Sequence, residues 1–367
     1  MEEWYSIVGT EELDTPALVV YPTRVKHNLA QLKACVNDLD RLRPHVKTHK
    51  SPDATLLMLE AGVRKFKCAT IAEAEMLALS HAPDVLLAYQ PVGPKAERFI
   101  QLSKHYSETK FSCLVDTCAA AKQLSLLAAA SALTIPVFLD LNVGMNRSGI
   151  APEAAFALYE QCRALPNLTV VGLHAYDGHI RDEDLAVRTA RCQQAFAPVE
   201  QLAAHLRAEG LAPVLVAGGS PSFPVHAANP SVECSPGTFI YWDGGYGQTC
   251  KEQAFSPAAL VLSRVISLPD ATKLCVDLGH KSVASEGPLE KRVTFLNAPE
   301  LWAVGHSEEH LILEAGPNHK YRVGDVLYGL PYHICPTVAL YERAVTVENH
   351  ALTGEWKNSA RDRKINF

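Results

Sequence analysis

The chain has 367 residues, of which 48% are hydrophobic and 20% are charged, and this composition excludes a disordered or fibrous chain. Its formal net charge of −6 gives no basic field, so we expect neither a nucleic acid nor an anionic membrane as a partner. The first residues lack the pattern of a signal peptide, and no apolar stretch reaches the roughly 20 residues of a membrane span, so we expect a cytoplasmic protein.

Short apolar stretches alternate with longer helical stretches from about residue 23 to about residue 240. The predicted strands are 17–21, 65–69, 84–88, 112–115, 136–141, 169–173 and 214–217. The predicted helices are 22–36, 71–79, 94–105, 117–127, 152–164 and 183–209. This alternation predicts an α/β fold with a parallel sheet covered by helices. About eight units fit a (β/α)₈ barrel, and a doubly wound open sheet is the alternative because periodicity does not detect closure.

After about residue 245 the predicted elements become short and rich in β structure, and Gly-Pro pairs separate them. The predicted strands are 259–268, 273–276, 310–313, 326–330 and 343–347. The sequence therefore predicts a second, mainly β domain.

The segment Arg43–Lys50 gathers two lysines, two histidines and an arginine within eight residues. A solvated charged loop is the ordinary explanation of such a segment. A lysine held among other cations has a lowered pKa, however, so that its neutral amine can attack an aldehyde. Barrel enzymes carry their chemistry at the carboxyl ends of the strands, where this segment is expected to lie. A Schiff-base lysine is therefore the functional interpretation.

Two further segments follow predicted strands. The first, 140–149, is a glycine-bounded turn that presents Arg147, either as a surface arginine or as a donor to an anionic ligand oxygen. The second, 172–179, carries Tyr176 and two histidines. We expect His174 to be a satisfied core histidine, whereas His179 follows a glycine and is better placed to lie in a cleft.

Two glycine-containing turns are candidates for a phosphate site. Gly218-Gly219-Ser220 follows a predicted strand, and Ser235-Pro236-Gly237-Thr238 comes shortly after it. Backbone N–H groups and hydroxyls of such turns bind phosphate, and barrels place phosphates at the ends of their late strands.

His333 and Cys335 are two residues apart, so in an extended chain their side chains point the same way. Imidazole and thiolate are both good ligands for Zn²⁺, and two protein ligands leave open positions for a Lewis-acid site. The alternative is an ordinary buried thiol beside a surface histidine.

These five segments, in this order, resemble the fold-type III pyridoxal-phosphate (PLP) family of D-threonine aldolases and eukaryotic-type D-serine dehydratases, which is related in its barrel to alanine racemase. The resemblance extends from Leu13 to the His333 segment. It implies a PLP-binding TIM barrel over residues 23–243 and a mainly β domain built from residues 1–22 plus 244–367. It also implies a homodimer with active sites near the subunit interface.

The resemblance assigns a role to each candidate residue. Lys47 is implied to be the Schiff-base lysine, Arg147 to contact the phenolic oxygen of PLP, and Tyr176 to lie near the cofactor ring. We place His179 as the base near the substrate β-hydroxyl. The implied phosphate-binding residues are Gly219, Ser220, Gly237 and Thr238, and the implied ligands of a divalent metal, Zn²⁺ or Mn²⁺, are His333 and Cys335.

The resemblance implies a lyase that acts on D-β-hydroxy amino acids. Gly-Met-Asn-Arg and Tyr-Asp-Gly-His favour the aldolase branch, which cleaves D-threonine to glycine and an aldehyde. Cys335 favours the alternative, a D-serine or 3-hydroxy-D-aspartate dehydratase, because the aldolase branch usually has an aspartate there. An amino-acid racemase or a non-catalytic PLP-binding protein is less favoured, since neither needs a metal.

Overall fold

The computed structural model describes residues 3–367, and the chain divides into two compact units. The barrel unit consists of Leu32–Lys47, Thr55–Gly237 and Asp362–Phe367. The β unit consists of Met1–Gln31, Thr48–Ala54 and Thr238–Arg361.

The strands and helices follow one another along the chain in the alternation that the sequence predicts, up to about residue 234. The strands are β1 Ala17–Val20, β2 Lys65–Cys68, β3 Asp84–Leu87, β4 Lys110–Val115, β5 Ile135–Leu141, β6 Leu168–Ala175, β7 Val214–Ala217, β8 Val232–Cys234, β9 Ala259–Ser267, β10 Lys273–Val276, β11 Val293–Phe295, β12 Trp302–His306, β13 Leu311–Glu314, β14 Val326–Pro331, β15 Arg343–Glu348 and β16 Ala351–Lys357. The helices are α1 Pro22–Ala34, α2 Pro52–Glu60, α3 Ile71–Leu79, α4 Pro94–His105, α5 Cys118–Ala130, α6 Pro152–Arg163, α7 Leu185–Ala208, α8 Phe223–Ala227, α9 Gly244–Thr249 and α10 Ile334–Val338.

The barrel unit holds one parallel sheet in the order β2-β3-β4-β5-β6-β7-β8. The backbone segment 42–46 closes it, because the Arg43 N–H donates to the Cys234 carbonyl on β8 and the Val46 N–H donates to the Lys67 carbonyl on β2, both at 2.9 Å. Bridges at Leu42 and His45 are parallel to these two strands. The predicted barrel is thus confirmed, with seven strands and the segment 42–46 in the place of an eighth, and the open sheet is excluded.

Local chemistry fixes where the barrel helices begin. Thr70 and Thr117 precede α3 and α5, and their hydroxyls accept the backbone N–H groups of Glu73 and Ala120. This capping satisfies N–H groups that the first turn of a helix leaves without partners. Between the strands, apolar side chains fill a cluster made of Leu86, Leu114, Phe138 and Val216.

The β unit contains a mixed sheet in the order β12-β13-β10-β9-β1-β15-β16, with β14 also paired to β9 and β11 to β14. Strand β1 runs antiparallel to β9 and parallel to β15, so the first strand of the chain belongs to the mainly β sheet, as the resemblance implies. One face of this sheet packs into a core that includes Val19, Tyr21, Leu260, Leu262 and Val347. Among residues 3–367, no helix is both long enough and apolar enough to cross a membrane.

Candidate active site

Lys47 lies at the carboxyl end of the 42–46 segment, and its backbone N–H donates to His45 Nδ1. Its Nζ is 5.8 Å from the centroid of the Tyr176 ring, which follows the end of β6. The strands of the barrel are parallel, so both residues lie at the same end of it. This is the end at which barrel enzymes carry their catalytic groups.

Arg147 approaches the same ring from the loop that follows β5, with its guanidinium carbon 5.0 Å from the Tyr176 centroid. The loop is held by Asn142, whose side-chain oxygen accepts the N–H groups of Gly144 and Asn146. Gly149 has φ +96° and leaves no room for a side chain, because a Cβ there would lie 2.6 Å from the Asn142 nitrogen. The structure therefore brings Lys47, Arg147 and Tyr176 together.

His179 lies against this loop. A Cβ on Gly144 would lie 2.9 Å from His179 Nε2, so the imidazole packs directly on the glycine backbone. The His179 Nδ1 is buried and has no hydrogen-bond partner within the described part of the chain. A buried polar atom without a hydrogen-bond partner is rare in folded proteins and often marks a functional site.

The two glycine turns after β7 and β8 contact each other inside the barrel unit. The Gly237 N–H donates to Ser220 Oγ at 3.4 Å, while the Gly219 N–H donates to Ser222 Oγ. A Cβ on Gly219 would lie 2.9 Å from Tyr176 Cε2, so only glycine allows this close approach of the backbone to the ring. Ser235 is buried, and its Oγ lacks a hydrogen-bond partner among residues 3–367.

A buried polar chain that the sequence analysis did not predict lies beside Tyr176. Lys67 Nζ is 3.5 Å from His174 Nε2, and His174 Nδ1 is 2.8 Å from Asp140 Oδ1. Burial, together with the charge of Lys47, lowers the pKa of Lys67 to about 7. Burial also lowers the pKa of His174, although its hydrogen bond to Asp140 opposes this. His174 is therefore the satisfied core histidine that we expected. Lys67, a charged residue within the short strand β2, was the sequence signal that could have led to these three hydrogen-bonded side chains.

The remaining predicted residues lie in the β unit. Thr238 Oγ1 is 3.6 Å from Cys335 Sγ, and Thr48 Oγ1 is 3.2 Å from the same sulfur.

The expectation of an extended His333-Ile334-Cys335 segment is wrong, because Ile334 begins α10 and His333 is its N-cap residue. Pro336 falls within the first turn of that helix, where proline is tolerated.

His333 and Cys335 nevertheless share a hydrogen bond, and His333 Nδ1 is 2.7 Å from Glu286 Oε2. Burial lowers the pKa of His333, but the hydrogen bond and charge of Cys335 outweigh this and raise the pKa to about 9. No group of three or more His, Cys, Asp or Glu side chains within residues 3–367 is arranged to hold a metal ion. His333 and Cys335 offer an imidazole nitrogen and a sulfur, which are both good ligands for Zn²⁺. The Glu286 carboxylate bonds the other imidazole nitrogen, and such a partner commonly orients a metal-binding histidine.

The barrel unit fits PLP by its own chemistry. It offers an amine at Lys47, a guanidinium at Arg147, an aromatic face at Tyr176, and a buried hydroxyl at Ser235 that has no partner among the described residues. An aldehyde, an anionic oxygen, an aromatic ring and a phosphate are the complementary groups of this cofactor.

Comparison with known proteins agrees with this chemistry. The family described as "Alanine racemase, N-terminal domain" matches residues 20–244, and the one described as "Putative serine dehydratase domain" matches residues 258–347. A D-threonine aldolase from Arthrobacter sp is 30% identical over 358 residues, which cover 95% of this chain and 93% of that protein. A D-threo-3-hydroxyaspartate dehydratase from Delftia sp. (strain HT23) is 26% identical over 364 residues, which cover 90% and 93% respectively.

Among solved structures, the crystal structure of D-threonine aldolase from Filomicrobium marinum has a TM-score of 0.89 with this chain at 26% identity, and covers 97% of this chain and 98% of that one. The aldolase and dehydratase reactions named for these relatives are both lyase reactions. With an alanine racemase-type domain over more than half of its length and a 30% identical relative along nearly all of it, the chain belongs to the fold-type III family of PLP-dependent enzymes, as a lyase.

Proposed function

We propose that the protein is a PLP- and divalent-metal-dependent aldolase that cleaves D-β-hydroxy amino acids, D-threonine first among them, to glycine and an aldehyde. The approach of Lys47 and Arg147 to the Tyr176 ring at the carboxyl end of the barrel carries this proposal. The D-threonine aldolase from Arthrobacter sp, which resembles both units, supports the choice of reaction.

Each proposed cofactor contact follows from the chemistry of its side chain. Bound PLP supplies an electron sink for the charge left on Cα when a bond to that carbon breaks. Lys47 would hold the cofactor through its amine, the Arg147 guanidinium would bind its phenolic oxygen, and the Tyr176 ring would lie near the cofactor ring. The proposed phosphate-binding residues are Gly219, Ser220, Gly237 and Thr238.

His179 is the proposed base for the substrate β-hydroxyl. Removing that proton allows the oxygen to become a carbonyl as the Cα–Cβ bond breaks. His333 and Cys335 would hold Zn²⁺ or Mn²⁺, which acts as a Lewis acid toward the same hydroxyl. The contact of the His179 imidazole with Gly144, in the loop that carries Arg147, supports its role.

A dehydratase is the second candidate, and Cys335 is the observation that favours it. In that reaction Lys47 would take the Cα proton and the β-hydroxyl would leave as water. Hydrolysis of the resulting aminoacrylate by one water molecule then gives a keto acid and ammonia. The similarity to the D-threo-3-hydroxyaspartate dehydratase supports this alternative. The two proposed metal ligands, His333 and Cys335, favour a lyase of either kind. A racemase or a non-catalytic PLP carrier is less favoured, because neither a racemase nor a carrier needs a Lewis acid.

Product analysis separates these proposals. The purified protein, loaded with PLP and Zn²⁺ or Mn²⁺, is given D-threonine and D-serine in separate reactions, with and without a chelator. We expect glycine and acetaldehyde from D-threonine, and no product when the chelator is present. Pyruvate and ammonia from D-serine, without glycine from D-threonine, would replace the aldolase by the dehydratase.

We further propose that the protein is a cytoplasmic homodimer with domain boundaries at residues 23 and 244, as the family resemblance implies. Sedimentation velocity tests the dimer, and a single species with the mass of one chain would contradict it.

A further inference from the structure

Asp177 directly follows Tyr176 at the end of β6, and only 3% of it is exposed. Its two carboxylate oxygens have different partners. The Ser222 hydroxyl donates to Oδ1 at 2.6 Å, and His226 Nε2 is 2.7 Å from Oδ2. Both partners belong to the segment that follows β7, so this carboxylate connects the ends of two neighbouring strands.

The same two partners fix the Gly218-Gly219 turn. Ser222 Oγ accepts the Gly219 N–H at 3.2 Å. Gly218 has φ +76°, and a Cβ there would lie 2.8 Å from His226 Cδ2 and 3.0 Å from Ser222 Oγ. The turn is therefore packed against both side chains without free space.

Asp177 is ionised at neutral pH. Burial raises its pKa, but the hydrogen bonds from His226 and Ser222 outweigh burial, and the pKa of this carboxyl lies below its usual value. Hydrogen bonds to an ionised acceptor are roughly twice as strong as those between neutral groups. A buried carboxylate with two such bonds holds its partners in one arrangement.

We propose that Asp177 is a positioning residue that, through Ser222 and His226, holds the Gly219-Ser220 turn in place to bind the cofactor phosphate beside the Tyr176 ring. This inference rests on the proposed function, because it takes Gly219 and Ser220 as phosphate-binding residues. It assigns Ser222 and His226 a task in cofactor affinity rather than in the chemistry of the substrate.

The test compares PLP with pyridoxal, which has the same ring and aldehyde but no phosphate. The dissociation constants of both are measured on the full-length protein after removal of its cofactor, for wild type and for Ser222→Ala. We expect Ser222→Ala to weaken PLP binding on the order of 10-fold and pyridoxal binding by less than about twofold. Ser112→Ala is the matched control, since Ser112 is a buried serine of β4 whose hydroxyl donates to the Val85 carbonyl, and it should change neither constant.

Asp177→Asn provides a second variant, with the same expected direction, in case Ser222→Ala does not fold. An equal loss of affinity for PLP and pyridoxal, or no loss for either, would overturn the positioning role while the phosphate site stands. If wild type itself binds pyridoxal as tightly as PLP, the proposed phosphate site fails and the inference fails with it.

Discussion

Lys47 and Lys50 lie in the same basic segment, and the Lys47 amine is 5.8 Å from the centroid of the Tyr176 ring, close to the 5.6 Å of the buried Lys67 amine. Lys47→Arg keeps the positive charge and removes the primary amine, so it should abolish the visible absorbance of the protein-bound cofactor and reduce lyase activity by several orders of magnitude. Lys50→Arg, the matched control, should retain both. Retained absorbance in Lys47→Arg would assign the cofactor to another lysine.

Lys67 makes the stability of the barrel depend on pH. Burial and the charge of Lys47 lower its pKa to about 7 in the folded protein, whereas an unfolded chain has a lysine pKa of about 10.4. The folded state therefore binds this proton more weakly. The cost of burying the charge is fully present below pH 7 and is relieved as the pH rises above it, with a slope of up to about 1.4 kcal/mol per pH unit.

Chemical denaturation between pH 7 and pH 9 should therefore show a steeper rise in the free energy of unfolding for wild type than for Lys67→Met. Lys122→Met, which changes an exposed lysine, should keep the wild-type slope. Equal slopes for wild type and Lys67→Met would show that Lys67 stays charged in the folded barrel.

At the scale of single elements, Gly172 of β6 pairs with Val214 of β7 and leaves no room for a side chain. A Cβ on this residue would lie 2.1 Å from the Val214 carbonyl oxygen and 2.8 Å from the Phe138 ring. We expect Gly172→Ala to lower the free energy of unfolding by about 2 kcal/mol or more, as measured by urea denaturation. Gly247→Ala in α9 should be neutral or stabilising, because its nearest contact would be at 3.9 Å and alanine favours helices.

Helix α10 carries one of the proposed metal ligands, and Asp243 fixes its start. The buried carboxylate of Asp243 accepts the Ile334 N–H at 3.0 Å, between His333 and Cys335. Cys335→Ala should lower the amount of Zn²⁺ bound per chain and the activity together, as measured by elemental analysis and product assay. Cys118→Ala, a partly exposed cysteine of α5, serves as control. Unchanged metal content in Cys335→Ala would make Cys335 an ordinary thiol.

Long, regular elements could be predicted from the sequence, and α3 and α4 begin and end at the predicted residues. We expected a barrel strand to end at the Arg43–Lys50 segment, but the pattern gave no bounds for the closing segment 42–46, and β8 was not predicted. A few residues that pair with distant strands leave too short a local pattern. The Lys67–His174 and His174–Asp140 contacts join residues 107 and 34 positions apart. Only the closed barrel brings such residues together, so the periodicity of the sequence did not reveal them.

At the scale of the whole molecule, the residues that we propose for the chemistry are divided between the two units. Lys47, Arg147 and Tyr176 belong to the barrel unit, whereas His333 and Cys335 belong to the β unit. A barrel of this type is shared with alanine racemase-type proteins, so the barrel alone does not distinguish a lyase from a racemase. The serine dehydratase-type domain and the full-length similarity to an aldolase make that distinction.

Racemic threonine therefore provides the most direct test of the central claim. The protein loaded with PLP and Zn²⁺ or Mn²⁺ is incubated with it, and both enantiomers and glycine are quantified over time by chiral chromatography. The account predicts that D-threonine disappears, L-threonine stays constant, and glycine appears mole for mole with the D-threonine consumed. D-threonine that stays unchanged, or that is lost to L-allothreonine or to 2-oxobutanoate without any glycine, would contradict it.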